Sequence, residues 1–196
     1  MTKEEFLYRF KLLQHVESCH SYQHNSPLRS AAVLIALVNS SDSNQLSTNG
    51  LQVLLTKRAS HLKHHPSQIS FPGGKTEPTD KNLIHTALRE ANEEIGLSSD
   101  AVSIIGQLPN YEIISGYQVT PVVALIDTPQ IYQKDANEVD EIFQVPLQYF
   151  LQPENHSSVN FYRNGHNHDV HFFHYKHYNI WGATAAMLKD LAEHIK

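Results

Sequence analysis

The 196-residue chain holds one cysteine, Cys19, which excludes an internal disulfide framework and any zinc site built on clustered thiolates. Positive charge is also scarce: 15 Lys and Arg stand against 20 Asp and Glu, a formal net charge of -5. A protein that grips nucleic acid by neutralising phosphates carries the opposite surplus, so no nucleic-acid partner is expected. No apolar run approaches the roughly 20 residues that span a bilayer, and no membrane partner is expected. Glu4, Glu5, Arg9 and Lys11 interrupt the N-terminal segment, which lacks the apolar centre of a secretory signal. His194-Ile195-Lys196 carries no peroxisomal or lipid-anchor signal. These absences lead to the expectation of a cytoplasmic protein.

What is present suffices for a core. Hydrophobic residues make up 40% and charged residues 18%, the balance of one globular domain. Phe6, Phe10, Leu13 and Val16 recur at helical spacing and predict an amphipathic surface helix, with a polar linker from His20 to Ser30. Ala31 to Val38 and Leu51 to Arg58 are apolar runs of strand length around a turn-rich segment, the pattern of a hairpin. Phe71-Pro72-Gly73-Gly74 reads as a turn leading to a helix at about Lys81 to Ile95. Val102 to Leu108, Val119 to Ile126, Glu138 to Pro146, Ser158 to Tyr162 and Val170 to Tyr175 read as strands. Leu147 to Leu151 reads as a helical turn and Ala183 to Ile195 as a closing helix, with Trp181 expected in core packing where that helix begins. The fold class is α+β, a mixed β-sheet sandwiched between α-helices.

The central helix carries an electrostatic conflict. Thr79 or Asp80 is placed to cap its start, and Gly96 stands where a left-handed residue ends a helix. At about 100° per residue, Ile84, Ala87, Leu88, Ala91 and Ile95 form one stripe, the expected buried face. Glu90, Glu93 and Glu94 share another arc as side-by-side neighbours. Like charges at that spacing oppose helix formation, and the C-terminal half of the dipole disfavours them further. A hard divalent cation, Mg²⁺ or Mn²⁺, resolves the conflict by taking carboxylate oxygens. Arg89 beside the cluster can orient one carboxylate through a charge-assisted bond.

Gly74, Arg89, Glu90, Ala91, Glu93, Glu94, Gly96 and Leu97 together resemble the Nudix box, G-x5-E-x7-R-E-U-x-E-E-x-G-U, where U is apolar. Two departures stand out. The spacing from Gly74 to Arg89 is one residue longer, and the early Glu is absent, with Asp80 or Glu77 nearest to it. Upstream, Leu54-Leu55-Thr56-Lys57-Arg58, Leu62, His65 and Gln68-Ile69-Ser70-Phe71-Pro72-Gly73-Gly74 resemble the signature of the coenzyme A pyrophosphatase branch. Ser67 stands where that signature has glycine. Further segments of the same branch are matched around Ser115 to Val123, Glu138 to Leu147 and Ile180 to Ala185. The resemblance implies a Nudix fold over residues 31–196, preceded by an N-terminal helix and linker at 1–30.

It also implies metal-dependent hydrolysis of the diphosphate bond of coenzyme A or a derivative, giving 3′,5′-ADP and 4′-phosphopantetheine or its acyl form. Glu90 and Glu94 would hold the metal, with Glu93 holding a further ion or orienting water. Glu93 and Glu112 are the candidate general bases, and Arg89 joins them as a catalytic residue. Gly73, Gly74 and Arg58 are the expected substrate contacts; strand alternation lets only one of Lys57 and Arg58 face the site. Glu138 is a further residue able to approach the metal from another loop. The partner is then a small-molecule nucleotide substrate, with a homodimer left open. Alternatives are an ADP-ribose or NADH hydrolase, a non-catalytic ligand sensor on the same fold, and a metal-binding role for His166, His168, His171, His174 and His177. For that last segment a solvated or half-buried sheet edge is the expected explanation.

Overall fold

The computed structural model describes residues 1–12, 27–40, 50–128, 130–163 and 166–196. After α1 (Lys3–Leu12), the chain forms β1 (Arg29–Ser40), β2 (Gly50–Arg58), β3 (Ile69–Ser70) and β4 (Gly73–Lys75). Helix α2 (Leu83–Ile95) is followed by β5 (Ser103–Gln107), β6 (Tyr111–Ile113), β7 (Tyr117–Ile126) and β8 (Val139–Pro146). The short α3 (Leu147–Phe150), β9 (His156–Arg163), β10 (His166–Tyr175), β11 (Tyr178–Trp181) and α4 (Ala183–His194) complete it.

The larger sheet is mixed: β1 lies antiparallel to β2 and β4 but parallel to β7. Its central strands are near-continuous apolar runs because both faces are covered. Ala32, Leu34 and Ala36 pack toward Ala87, Ala91 and Ile95 of α2. Ile35 and Leu37 point the other way, into a core with Phe6 and Phe10 of α1 and Leu188 and Leu191 of α4. The sandwich expected from sequence is therefore observed. Phe6 and Phe10 are buried, while Leu13 and Val16 of the expected helix lie outside the described residues.

Several local expectations need correction. Gly73-Gly74 is not a turn but part of β4, with Val33 opposite Gly73 and Ala32 opposite Gly74. Helix α2 starts two residues late and is capped by Asn82, whose side chain accepts from the His85 amide. Asp80 is unavailable as a cap because its carboxylate is taken by Arg89, Thr86 and His85. Ile84 and Leu88 are only partly buried, whereas Thr86 and Glu94 are buried. Trp181 is 42% exposed and its neighbour Ile180 fills the core, since strand alternation turns successive residues of β11 to opposite faces. The histidine-rich segment forms the middle strand, not an edge, of a sheet ordered β11-β10-β9. In it His171 is buried and His174 exposed. Among the described residues no group of three His, Cys, Asp or Glu is placed to hold an ion.

Ser67 adopts a φ of 58°, the left-handed region that favours glycine. The serine thus keeps the turn that a glycine would make there. We expect Ser67→Gly to raise stability by about 1 kcal/mol, read as a higher urea midpoint with an unchanged slope. An unchanged or lower midpoint would show the turn to be unstrained.

Candidate active site

Arg89 organises the acidic face of α2. Its Nε and Nη2 donate to the two oxygens of Asp80 at 3.0 and 3.1 Å, and Nη2 also reaches the Lys75 carbonyl at 3.0 Å. Its Nη1 donates to Glu90 at 3.1 Å and Glu93 at 2.9 Å. The planar fork of guanidinium donors makes such simultaneous contacts possible, where an ammonium would act as a point charge. Asp80 is 2% exposed, and the Arg89 bond holds its carboxyl well below the usual range despite burial. Asp80 thus fixes the arginine that bridges to Glu90 and Glu93.

This pairing predicts a sensitivity at Asp80. Asn in its place presents an amide donor to a guanidinium that can only donate. Breaking such a buried pair costs about 3–5 kcal/mol, and losing an orienting partner costs about 10–100-fold in activity. Asp80→Asn should therefore lower both the melting temperature and kcat/KM, and a variant equal to the parent in both would remove Asp80 from the site.

Glu94 lies deeper, with 3% of its side chain exposed. The Gly73 amide donates to its Oε2 at 3.3 Å, and Arg58 Nη1 stands 3.9 Å from Oε1. Burial pushes its carboxyl up to about 8, against the opposing pull of Arg58 and Gly73; the charges of Glu138 and Glu90 push it further up. Glu90 is also raised, chiefly by burial, against the pull of Arg89. A Cβ on Gly74 would lie 2.4 Å from Glu90 Cδ. Glycine at that position is therefore a matter of space: β4 and α2 approach so closely that the carboxylate occupies the side-chain volume.

Glu138, at the entrance to β8, acts electrostatically on both Glu90 and Glu94. It is brought to the centre by β8 pairing with β2, where Val139 stands opposite Arg58. Glu112 lies in β6 rather than in a loop, paired with Gln118. Alternation turns it away from Tyr111 and Ile113, toward the side of the sheet that carries α2. Sequence reasoning ranked Glu112 with Glu93 as a base and gave Glu138 less weight. The signal that favours Glu138 is a tertiary strand pairing.

The donor set suits a hard cation. Glu90, Glu94 and Glu138 carry oxygen donors whose charges act on one another, and the carboxyls of Glu90 and Glu94 are raised. As they stand the carboxylates do not converge on a point, because Arg89 draws Glu90 and Glu93 toward itself.

On the face of the sheet away from α2 lies a cavity of about 530 Å³. Arg58 lines it, along with His65, Gln68, Ser70 and Phe71 from the segment leading to β4. Arg58 is thus common to the cavity and to the carboxylate centre.

A mixed sheet between helices, with an acidic helix facing a glycine strand, is the architecture of a phosphate-ester or anhydride hydrolase of the Nudix class. Residues 28–165 match the NUDIX domain, and the chain belongs to the Nudix hydrolase family; it is a pyrophosphohydrolase. It is 40% identical, over 98% of its length and 94% of the relative's, to the uncharacterized Nudix hydrolase NudL of Enterobacter sp. (strain 638). The NudL of Escherichia fergusonii is 38% identical over the same shares. Among solved structures, a MutT/nudix family protein from Enterococcus faecalis has a TM-score of 0.51 at 15% identity, covering 98% of this chain and 73% of that one. RenU, a Nudix hydrolase from M. Smegmatis, also has a TM-score of 0.51, at 20% identity, with 63% of this chain and 74% of that one covered. Enzymes of the family generally use divalent ions such as Mg²⁺ or Mn²⁺ and bind small nucleotide derivatives. Among the described residues no helix is long and apolar enough to cross a membrane.

Proposed function

We propose that the enzyme hydrolyses the diphosphate bond of coenzyme A or a derivative, releasing 3′,5′-ADP and 4′-phosphopantetheine or its acyl form. The observation that supports this best is the cavity beside the carboxylate centre. The segment resembling the coenzyme A signature supplies part of its wall, and Arg58 belongs to both cavity and centre. A diphosphate lying at Arg58 can therefore extend its pantetheine arm into the cavity.

In this reading Glu90, Glu94 and Glu93 would hold Mg²⁺ or Mn²⁺, with the Gly74 carbonyl and Glu138 as further oxygen donors. When bound, the ion neutralises the diphosphate and makes phosphorus more electrophilic. Arg58 contributes a fixed positive charge to the phosphate oxygens. Arg89 orients Glu90 and Glu93 without itself accepting a proton. Glu93, with more than half of its side chain exposed, is the carboxylate best able to take a proton from an attacking water; Glu112 is the second candidate. Gly73 keeps its amide on Glu94 and has no side chain to press on Ala32 and Val33 of β1.

The test is product identification after incubation with coenzyme A, ADP-ribose and NADH in Mg²⁺ or Mn²⁺. The expected result is 3′,5′-ADP from coenzyme A, absent with Glu94→Gln. Preferential cleavage of ADP-ribose or NADH would retain the chemistry and overturn the substrate.

A further inference from the structure

The cavity next to the carboxylate centre has walls of two kinds. The segment between β2 and β4 contributes polar groups: His65 Nδ1 and Gln68 Oε1 are 2.8 Å apart, which leaves Gln68 Nε2 to donate to a ligand carbonyl. The walls from β6, β11 and α4 are mainly apolar: Tyr111, Ile113, Trp181, Ala183 and Met187. Thr184 also lines the cavity, but its hydroxyl is committed to the Ile69 carbonyl at 3.1 Å. The carboxylate on the lining is Asp169 of β10, hydrogen-bonded by Asn160 Nδ2 at 2.8 Å. A carboxylate repels phosphate, so the diphosphate belongs at Arg58, the single Lys or Arg on the lining. The far part of the ligand then meets carbon.

Pantetheine itself carries amides and a hydroxyl that need hydrogen-bond partners. The polar wall can serve them, whereas the carbon wall would be left against water if the ligand ended in a free thiol. We infer, on the reading that coenzyme A is the substrate skeleton, that the carbon wall receives the acyl chain of an S-acyl thioester, and that Met187 and Trp181 set the chain length accepted. The thioester itself is untouched. Water adds across the diphosphate, and the products are 3′,5′-ADP and S-acyl phosphopantetheine. The volume of about 530 Å³ falls within the range of small-molecule sites. Met187 is 4% exposed; its unbranched, rotatable side chain can give way to a chain. Trp181, the sole tryptophan, is 42% exposed and can cover the apolar end. Each methylene enclosed contributes about fourfold to kcat/KM.

The experiment measures kcat/KM for coenzyme A and its S-butanoyl and S-octanoyl thioesters with the parent enzyme, Met187→Trp and Met187→Ala. The parent should favour S-octanoyl over free coenzyme A by at least about tenfold. Met187→Trp should shrink that ratio by about tenfold or more, and Met187→Ala should move the optimum toward longer chains. Ratios that agree within about twofold across the three proteins would overturn the inference while leaving coenzyme A as substrate. Failure to cleave either coenzyme A or its thioesters would overturn the substrate reading itself. A second measurement covers the case in which Met187→Trp does not fold. In metal-free parent protein, S-octanoyl coenzyme A should shift the single-tryptophan emission to the blue, and free coenzyme A should shift it much less. Equal shifts, or none, would count against the acyl site.

Discussion

Replacing Glu94 by Gln should abolish turnover and yet stabilise the metal-free protein at alkaline pH. The loss of activity follows from the proposed role of Glu94 as a metal ligand: several kcal/mol of charge stabilisation is about 10³ in rate. The gain in stability follows from burial. In the folded protein Glu94 titrates at about 8, against 4.5 for an unperturbed glutamate. Between those values the folded state keeps a proton that the unfolded chain has released. Stability therefore falls as pH rises through this window, with a slope from this residue of up to about 1.4 kcal/mol per pH unit. Gln cannot ionise and removes that contribution while still accepting from the Gly73 amide. Urea unfolding of the metal-free proteins at about pH 6 and about pH 8 checks this: the parent should lose stability across the interval more steeply than Glu94→Gln. Parallel slopes would mean that Glu94 is ionised in the apo protein. Added Mg²⁺ or Mn²⁺ should restore the parent at the higher pH through preferential binding to the folded state, and have little effect on the variant.

Gly74→Ala should be nearly as damaging to activity, for a steric reason. The new methyl would stand 2.4 Å from Glu90 Cδ and Oε1 and 2.6 Å from Oε2, so either the carboxylate moves or β4 separates from α2. A displacement on the order of 1 Å costs about 10²-fold in rate, and forcing the extra atom into a packed contact costs about 1–3 kcal/mol. The double variant Gly74→Ala with Glu90→Ala separates the two effects. It should recover most of the lost stability, because the clash is gone, and none of the activity, because the carboxylate is gone too. If the double variant is no more stable than Gly74→Ala alone, the clash is not the cause. Double-mutant analysis is the appropriate measure because the two residues touch.

Much of this site is legible along the chain because it is carried by one helix. Glu90, Glu93 and Glu94 follow each other at spacings that place them on adjoining positions whatever the rest of the fold does, and Gly96 ends the helix in the left-handed conformation its sequence position suggests. Less legible was the difference among the three. Their spacing gives equivalent neighbours, yet Glu94 is 3% exposed and Glu93 56%. That inequality arises only when β4 is laid against the helix, with the Gly73 amide facing Glu94 and Gly74 making room for Glu90. The cap was misplaced for a related reason: Asp80 is a good capping residue by local rules, but a guanidinium nine residues away competes for it and prevails.

The sequence alone determined the class of fold, the acidic face and the glycine beside it, because helical and strand periodicities are local properties of the chain. Strand alternation in the sequence separates Arg58 from Lys57, so that only one of the two can face the centre. Tertiary structure decided which carboxylates are buried and so raised, and that Glu138 joins them through the pairing of β8 with β2. It decided too that Arg58 is shared by the carboxylate centre and the cavity. These are consequences of distances between segments far apart in sequence. Desolvation and charge coupling act through space, and only the packed sheet and helices define that space.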